Sequence, residues 1–297
     1  MPAGADTSDP RLTVHRFQVE RGYWSDEMLG FCQTFEYDVL VIHSTNPHLL
    51  ELAEPAHAAG REVVFCPQTP TEHTIAQLLA NVDRMIVLLP SWAEHFSGRH
   101  KFGGAIKVLP RLVDVGWFER RATKDSGPRR LLYVGRFAPG KRVRAVIEAF
   151  AELRATGEAH TLYLVGAPDD VQRDMPPIED AIRRARATGS VTASRADTIE
   201  ECGTAYGHGD VLVSASTSET FCQVFLEALA SGLAVVTTAK GGCREWAWPF
   251  VTFVDRPEQL ADGVRVARAL GGAEYDEFVR EFSWQARRGE WEGAIRG

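Results

Sequence analysis

The chain alternates two apolar patterns. Short runs rich in β-branched residues are separated by longer segments whose apolar positions recur at helical spacing. In the first part, YDVLVIH (37–43), REVVFC (61–66), DRMIVLLP (83–90) and IKVLP (106–110) read as strands. LLELAEPAHAAG reads as a helix closing on Gly60, and EHTIAQLLANV (72–82) as a short helix. SWAE (91–94) has the Ser-x-x-Glu spacing of a capping box, which predicts a helix start at Ser91. Further on the alternation becomes regular. LLYVG (131–135), HTLYLVG (160–166), SVTAS (190–194), DVLVSAS (210–216), LAVVTT (233–238) and FVTFV (250–254) read as six strands. RVRAVIEAFAELRAT (142–156) places Val143, Val146, Ile147 and Phe150 at the i, i+3, i+4, i+7 positions of an amphipathic helix.

Strands alternating with helices predict parallel sheets covered on both faces, an α/β architecture. The later six strands suffice for a complete Rossmann-like domain, and the earlier part is smaller. A charged stretch ending in SGP (118–128) reads as the linker. The expected division is a first domain over 1–118, a second over 119–282, and a C-terminal helix over 283–297 that packs back toward the first.

Composition narrows the classes. The 297 residues are 44% hydrophobic and 25% charged, as in globular chains. No apolar run approaches the ~20 residues that span a bilayer, and the small polar start MPAGADTSDP has no apolar signal core. The five cysteines are scattered with no CxxC, so neither a disulfide framework nor a zinc site is indicated, and a cytoplasmic setting is expected. The net charge of −7 argues against a nucleic-acid partner. Residues 1–118 carry 9 Lys+Arg against 14 Asp+Glu, so no basic membrane-docking surface is indicated.

The candidate chemistry lies at two predicted strand ends. In LLYVGRFAPGK, Arg136 follows its strand at the edge where open α/β sheets bind ligands, and Lys141 precedes the next helix. Two cations beside a helix N-terminus suit a phosphate or diphosphate, although a solvated loop would also carry them. In STSETFCQVFLEALASG, a helix is expected to start near Cys222–Gln223. Glu219 lies just before it, and Glu227 about 6 Å along its axis. The two carboxylates could bracket a diphosphate with a polyol on each side. A dipole partner and a core-edge salt bridge would equally explain them. Cys222, at a helix start and near two cations, would have a lowered thiol pKa if it faces the donor site, whereas a buried, inert cysteine in the first turn of a packed helix would equally occupy that position.

Taken together these segments resemble the retaining glycosyltransferases of the two-domain GT-B fold, glycosyltransferase group 1. The matching motifs are Gly135-Arg136-FAPG-Lys141, Glu219-TFCQVFL-Glu227, ASGLAVV, Gly241-Gly242-CR-Glu245, Val113-Asp114-VGW-Phe118 and Phe282-Ser283-Trp284. The resemblance covers about residues 106–284. It implies two Rossmann-like domains facing each other across a cleft, the first abridged, since no glycine-rich segment precedes Tyr37. It implies that Arg136 and Lys141 bind the donor diphosphate, that Glu219 contacts the donor sugar and that Glu227 holds the ribose. Gly135 and the backbone of Phe221, Cys222 and Gln223 would complete the donor site. Glu245 is a weaker candidate. His43 and His73 are the candidates for a cleft histidine. The implied activity is metal-independent transfer of a sugar from a nucleoside-diphosphate sugar to a hydroxyl acceptor, with no cofactor. The alternative is a nucleotide-sugar-binding protein that is inactive alone or works with a partner chain. One departure stands out: Thr220 and Cys222 occupy positions where the family usually has glycine.

Overall fold

The computed structural model describes residues 36–43, 52–69, 79–118, 120–166, 175–194 and 199–297. Most of the helix expected over 72–82, and the candidate His73, lie outside the described residues. The chain divides into two compact units, residues 1–110 with 289–297, and residues 111–288. The first unit therefore ends at Pro110, short of the boundary expected at 118.

In the first unit, β1 (Val39–Ile42), β2 (Glu62–Phe65), β3 (Arg84–Val87) and β4 (Ala105–Val108) form a parallel sheet in sequential order. Helix α1 (Ala53–Ala58) connects β1 to β2 and buries Ala53 and Ala56. Helix α2 (Pro90–Glu94) follows β3 and runs into a π-helical turn over His95–Arg99. It begins one residue before the expected capping box. Leu89 is the extended N-cap and Pro90 takes the first helical position, where its fixed φ and missing N–H cost nothing. The core joins Val64, Cys66, Ile86 and Leu109 to Ala294 near the C-terminus. There Arg84 donates to the carbonyls of Ala294 (2.6 Å) and Ile295 (3.0 Å), placing a cation where a helix C-terminus favours one.

The second unit is one parallel sheet. Its strands are β5 (Arg130–Val134), β6 (Thr161–Val165), β7 (Val191–Ser194), β8 (Val211–Ser214), β9 (Ala234–Thr237) and β10 (Thr252–Phe253). The order across the sheet is β10-β9-β8-β5-β6-β7, the doubly wound arrangement. Helices α3 (Val143–Ala155), α4 (Met175–Thr188), α5 (Ile199–Ala205), α6 (Gln223–Ala230), α7 (Cys243–Ala247) and α8 (Leu260–Val266) alternate with the strands. Helices α9 (Gly272–Phe282) and α10 (Trp284–Arg296) close the chain. All four residues of β8 and of β9 are buried, as a sheet covered on both faces requires. The apolar stripe of α3 buries its four predicted positions together with Ala149 and Leu153. No helix among the described residues is long and apolar enough to cross a membrane.

The unit boundary has a local cause. Val113 N–H donates to the Phe282 carbonyl and Trp284 N–H to the Val113 carbonyl, both at 2.9 Å. Asp114 then accepts bonds from the Gly116 amide (2.9 Å) and from Gln285 Nε2 (2.5 Å). The segments VDVGWF and FSW are thus bonded to each other, which holds residues 111–118 in the second unit.

A buried carboxylate pins the centre of the sheet. Asp210 accepts from the Arg130 amide (2.8 Å), from Arg130 Nε (3.1 Å) and Nη2 (2.7 Å), fastening the start of β8 to the start of β5. Burial alone would raise its pKa, but the Arg130 bonds outweigh it and hold the carboxyl below its ordinary value. The contribution is present above the ordinary carboxylate pKa and lost as pH falls through the lowered one. Asp210→Ala should lower the unfolding free energy by about 1.5–3 kcal/mol, the range for a hydrogen bond to a charged group. Urea denaturation at neutral pH checks this, and an unchanged midpoint would remove Asp210 as the pin.

Candidate donor-binding site

The described site lies within the second unit, at the carboxyl ends of β5, β8 and β9. Strand β5 has β6 on one side and β8 on the other, so the loops after β5 and β8 flank the point where the strand order reverses. Open α/β sheets bind ligands in the crevice at that point. Three loops are bonded together there. Thr217 N–H donates to the Gly140 carbonyl (2.9 Å), and Glu219 N–H donates to the Lys240 carbonyl (2.8 Å). Gly241 makes the last approach possible: its φ is +93°, and a Cβ there would stand 2.8 Å from the Glu219 carbonyl oxygen.

Lys141 and Glu219 meet across this junction. Their Nζ and Oε1 are 2.5 Å apart, in an ion pair whose side chains are mostly sheltered. Arg136 is exposed on the loop after β5. The buried Tyr133 donates its hydroxyl to the Arg136 carbonyl at 2.7 Å and holds that loop down. Burial pushes the Tyr133 phenol up, the Glu219 charge adds to this, and the Arg136 charge opposes it. Gly135, at φ +151°, makes the turn out of β5.

The second segment is built around Phe221. Its ring is buried and stacks on Trp246 at 5.0 Å, with only 13° between planes. Trp246 Nε1 donates to the Phe221 carbonyl at 2.7 Å. Cys222 follows in the left-handed region (φ 66°, ψ 79°) and is the N-cap of α6. The first amides of an α-helix lack intrahelical partners and carry partial positive charge. Gln223, the first residue of α6, donates its side-chain amide to the Leu112 carbonyl at 3.4 Å.

The Cys222 thiol fits the buried alternative, not the activated one. It is buried, and its pKa lies well above the ordinary value. Burial is the main cause and the Glu219 charge the next; Lys141 only partly opposes them. The helix start and the cations do not produce an activated thiolate. Cys243 behaves alike: burial pushes it up to about 11.

Glu227 sits one turn into α6. Tyr206 donates its hydroxyl to Glu227 Oε2 at 2.5 Å. Burial pushes the Glu227 carboxyl up to about 7, although the Tyr206 bond opposes the rise. Tyr206 and Trp246 were not singled out from the sequence. Tyr206 precedes β8 and reaches its carboxylate partner across 21 positions, so no local spacing signals it. Trp246 stands beside the GGxxE segment, and that proximity was the one available signal. Glu245 is exposed in the first turn of α7, where an acid favours the helix dipole. His43 belongs to the first unit, at the end of β1, with its Nε2 2.7 Å from Gln68 Nε2. Among the described residues no group of three or more His, Cys, Asp or Glu is placed to hold a metal ion.

Residues 128–267 match the family described as Glycosyl transferases group 1. The chain is 36% identical over 133 residues to a GDP-mannose-dependent alpha-mannosyltransferase of Mycobacterium tuberculosis, covering 45% of this chain and 31% of that protein. It is 24% identical over 312 residues to a D-inositol 3-phosphate glycosyltransferase of Segniliparus rotundus, covering 94% of this chain and 66% of the relative. The chain thus spans from under a third to just under two thirds of the length of these relatives. Among solved structures it resembles Anabaena HepE in complex with UDP and glucose, with a TM-score of 0.68 at 16% identity over 91% of this chain and 80% of that one. Sucrose-phosphate synthase from Thermosynechococcus elongatus gives a TM-score of 0.68 at 19% identity, over 91% and 75% of the two chains. The fold is of the GT-B type.

The raised Glu227 pKa has a testable sign. The native carboxyl holds its proton from the ordinary value near 4.5 up to about 7, whereas the unfolded chain has released it. Stability therefore falls as pH rises across that window, by a few kcal/mol at most. Glu227→Gln should flatten this slope. Urea unfolding at several pH values between 4.5 and 7.5 measures it, and parallel profiles for the two proteins would contradict the assignment.

Proposed function

We propose that this chain, which belongs through residues 128–267 to the group 1 glycosyl transferases, moves a sugar from a nucleoside-diphosphate sugar to a hydroxyl acceptor. The observation that carries this reading is the Lys141–Glu219 pair at the crossover of the sheet, with Glu227 one turn into the helix that starts beside it. Lys141 and Arg136 supply positive charge where a diphosphate would leave. Glu219, held by Lys141, presents its carboxylate to the hydroxyls of the sugar. Glu227 accepts bonds from the ribose on the far side. Lys141 then touches both the sugar-binding carboxylate and the leaving group, which couples sugar orientation to bond cleavage.

The chemistry follows from charge. As the anomeric bond lengthens, negative charge grows on the diphosphate and positive charge on the ring. Cations and helix amides that meet the growing charge lower the barrier more than they stabilise the bound donor. In this reading side chains do the work a divalent metal would do, and turnover retains the anomeric configuration. The acceptor attacks from the face the diphosphate leaves, and a phosphate oxygen takes the acceptor proton.

A thermal-shift screen with UDP, GDP and ADP sugars tests donor binding, since a ligand of the folded state alone raises Tm. Donor-dependent stabilisation without turnover under any acceptor would favour a binding protein instead. Arg136→Ala and Lys141→Ala should each lower turnover about 10²-fold or more. Near-normal rates in both would remove the diphosphate site, and complete loss of turnover in EDTA, restored by magnesium or manganese, would remove the metal-free mechanism.

The two glutamates should separate by calorimetry. Glu227→Ala should weaken free nucleoside diphosphate by about 1–3 kcal/mol, the cost of a charged hydrogen bond. Glu219→Ala should leave that affinity close to normal and lose discrimination among donor sugars. The opposite pattern would exchange their roles.

A further inference from the structure

The first unit holds a pair of histidines that the donor chemistry does not use. His95 opens the π-helical turn after α2, and His100 follows its end. An i→i+5 turn brings position 100 over position 95. Their Nε2 atoms face each other at 3.2 Å and their ring centres lie 4.9 Å apart, with 65° between planes. Both rings are partly buried and rest near Phe96, which is fully buried: His95 meets it edge-on at 5.4 Å and His100 at 5.8 Å. The Phe96 carbonyl accepts the Phe102 amide at 3.1 Å, which closes the loop behind His100.

Two arrangements can bring imidazole nitrogens this close. In a straight N–H···N hydrogen bond of about 3.2 Å, each ring extends directly away from the bond, so the centres stand about 5.5 Å apart. If both lone pairs point at one ion, with bonds of about 2.0–2.1 Å and a near-tetrahedral angle, the nitrogens stand about 3.3 Å apart and the centres about 5.2 Å. The observed 4.9 Å is shorter than both values, so the ring axes are bent off the N···N line, as a shared ion requires and a straight hydrogen bond does not. Imidazole pairs select zinc, copper and nickel over the oxygen-seeking magnesium and calcium.

We propose that His95 and His100 form a two-histidine chelate for a first-row transition-metal dication such as Zn²⁺, with water completing the coordination. Both rings then carry their proton on Nδ1 and present the Nε2 lone pair; a ring protonated on Nε2 shifts that proton to Nδ1 on binding. The ion clips the π turn to the residue that leads toward β4, so its effect is on the stability of the first unit.

The test uses tag-free full-length protein, because a histidine tag would bind the same ions. ZnCl₂ and NiCl₂ should raise Tm by about 5 °C near saturation, and MgCl₂ at the same concentration should not. His95→Asn and His100→Asn should each abolish the shift, and calorimetry should show each variant binding one Zn²⁺ fewer than wild type. The comparison is of metal-induced shifts, so a lower starting Tm in a variant does not obscure it. Equal shifts or equal stoichiometry in wild type and variants would overturn the proposal, as would an equal response to magnesium. Nucleoside-diphosphate affinity should be unchanged in both variants, which separates this site from the donor reading.

Discussion

The second unit depends on β5 lying between β6 and β8. That adjacency places two loops that are distant in sequence, 135–142 and 215–222, at one edge of one sheet. Asp210 fixes it at the opposite end, because three donors of Arg130 converge on a carboxylate that is 1% exposed. With both strand starts fastened, the register of the pair is set, and a slip of one residue would turn every inward side chain outward. The contacts at the other end, Thr217 to Gly140 and Glu219 to Lys141, exist only in that register.

The two glutamates share a helix start but have different partners. Glu219 stands on the loop against the ammonium of Lys141. Glu227 stands inside the helix against the neutral phenol of Tyr206. A neutral donor offsets only part of the desolvation of a carboxylate, so burial prevails and pushes Glu227 up to about 7. A ligand hydroxyl arriving at Glu227 would add a further donor to the charged form and pull that value back down. Binding of a polyol there would thus be coupled to release of a proton.

Much of this was legible in the residues. The six strands of the second unit follow from their β-branched runs, and the start of α6 at Gln223 follows from the change from STSET to an apolar helical stripe. Spacing alone told less about partners. Nothing local in DVLVSAS or AYGHGD shows that Asp210 is bonded to Arg130, or that Tyr206 is bonded to Glu227, because both pairs form only once the sheet is assembled. The misplaced capping box at Ser91 has a different origin. Two local signals competed, and the preset φ of Pro90 prevailed over the hydroxyl of Ser91. The boundary at 110 was missed because a charged stretch reads as linker whether or not its neighbours are bonded to α10.

Cys222 shows how the loop can be rigid without the glycine usual at its position. A left-handed conformation at a residue with a Cβ costs on the order of 1–3 kcal/mol, and persists only when its surroundings over-determine it. They do so here from both sides. Phe221 is clamped by its stack on Trp246 and by the indole bond to its carbonyl. After Cys222 the helix begins at once, with the Phe225 amide bonded to the Cys222 carbonyl at 3.1 Å. The conformational freedom a glycine would bring is removed, so the amides that open α6 are fixed before any ligand arrives. Preorganised dipoles of this kind need not reorient as charge develops, which is the condition under which they stabilise a leaving anion most effectively.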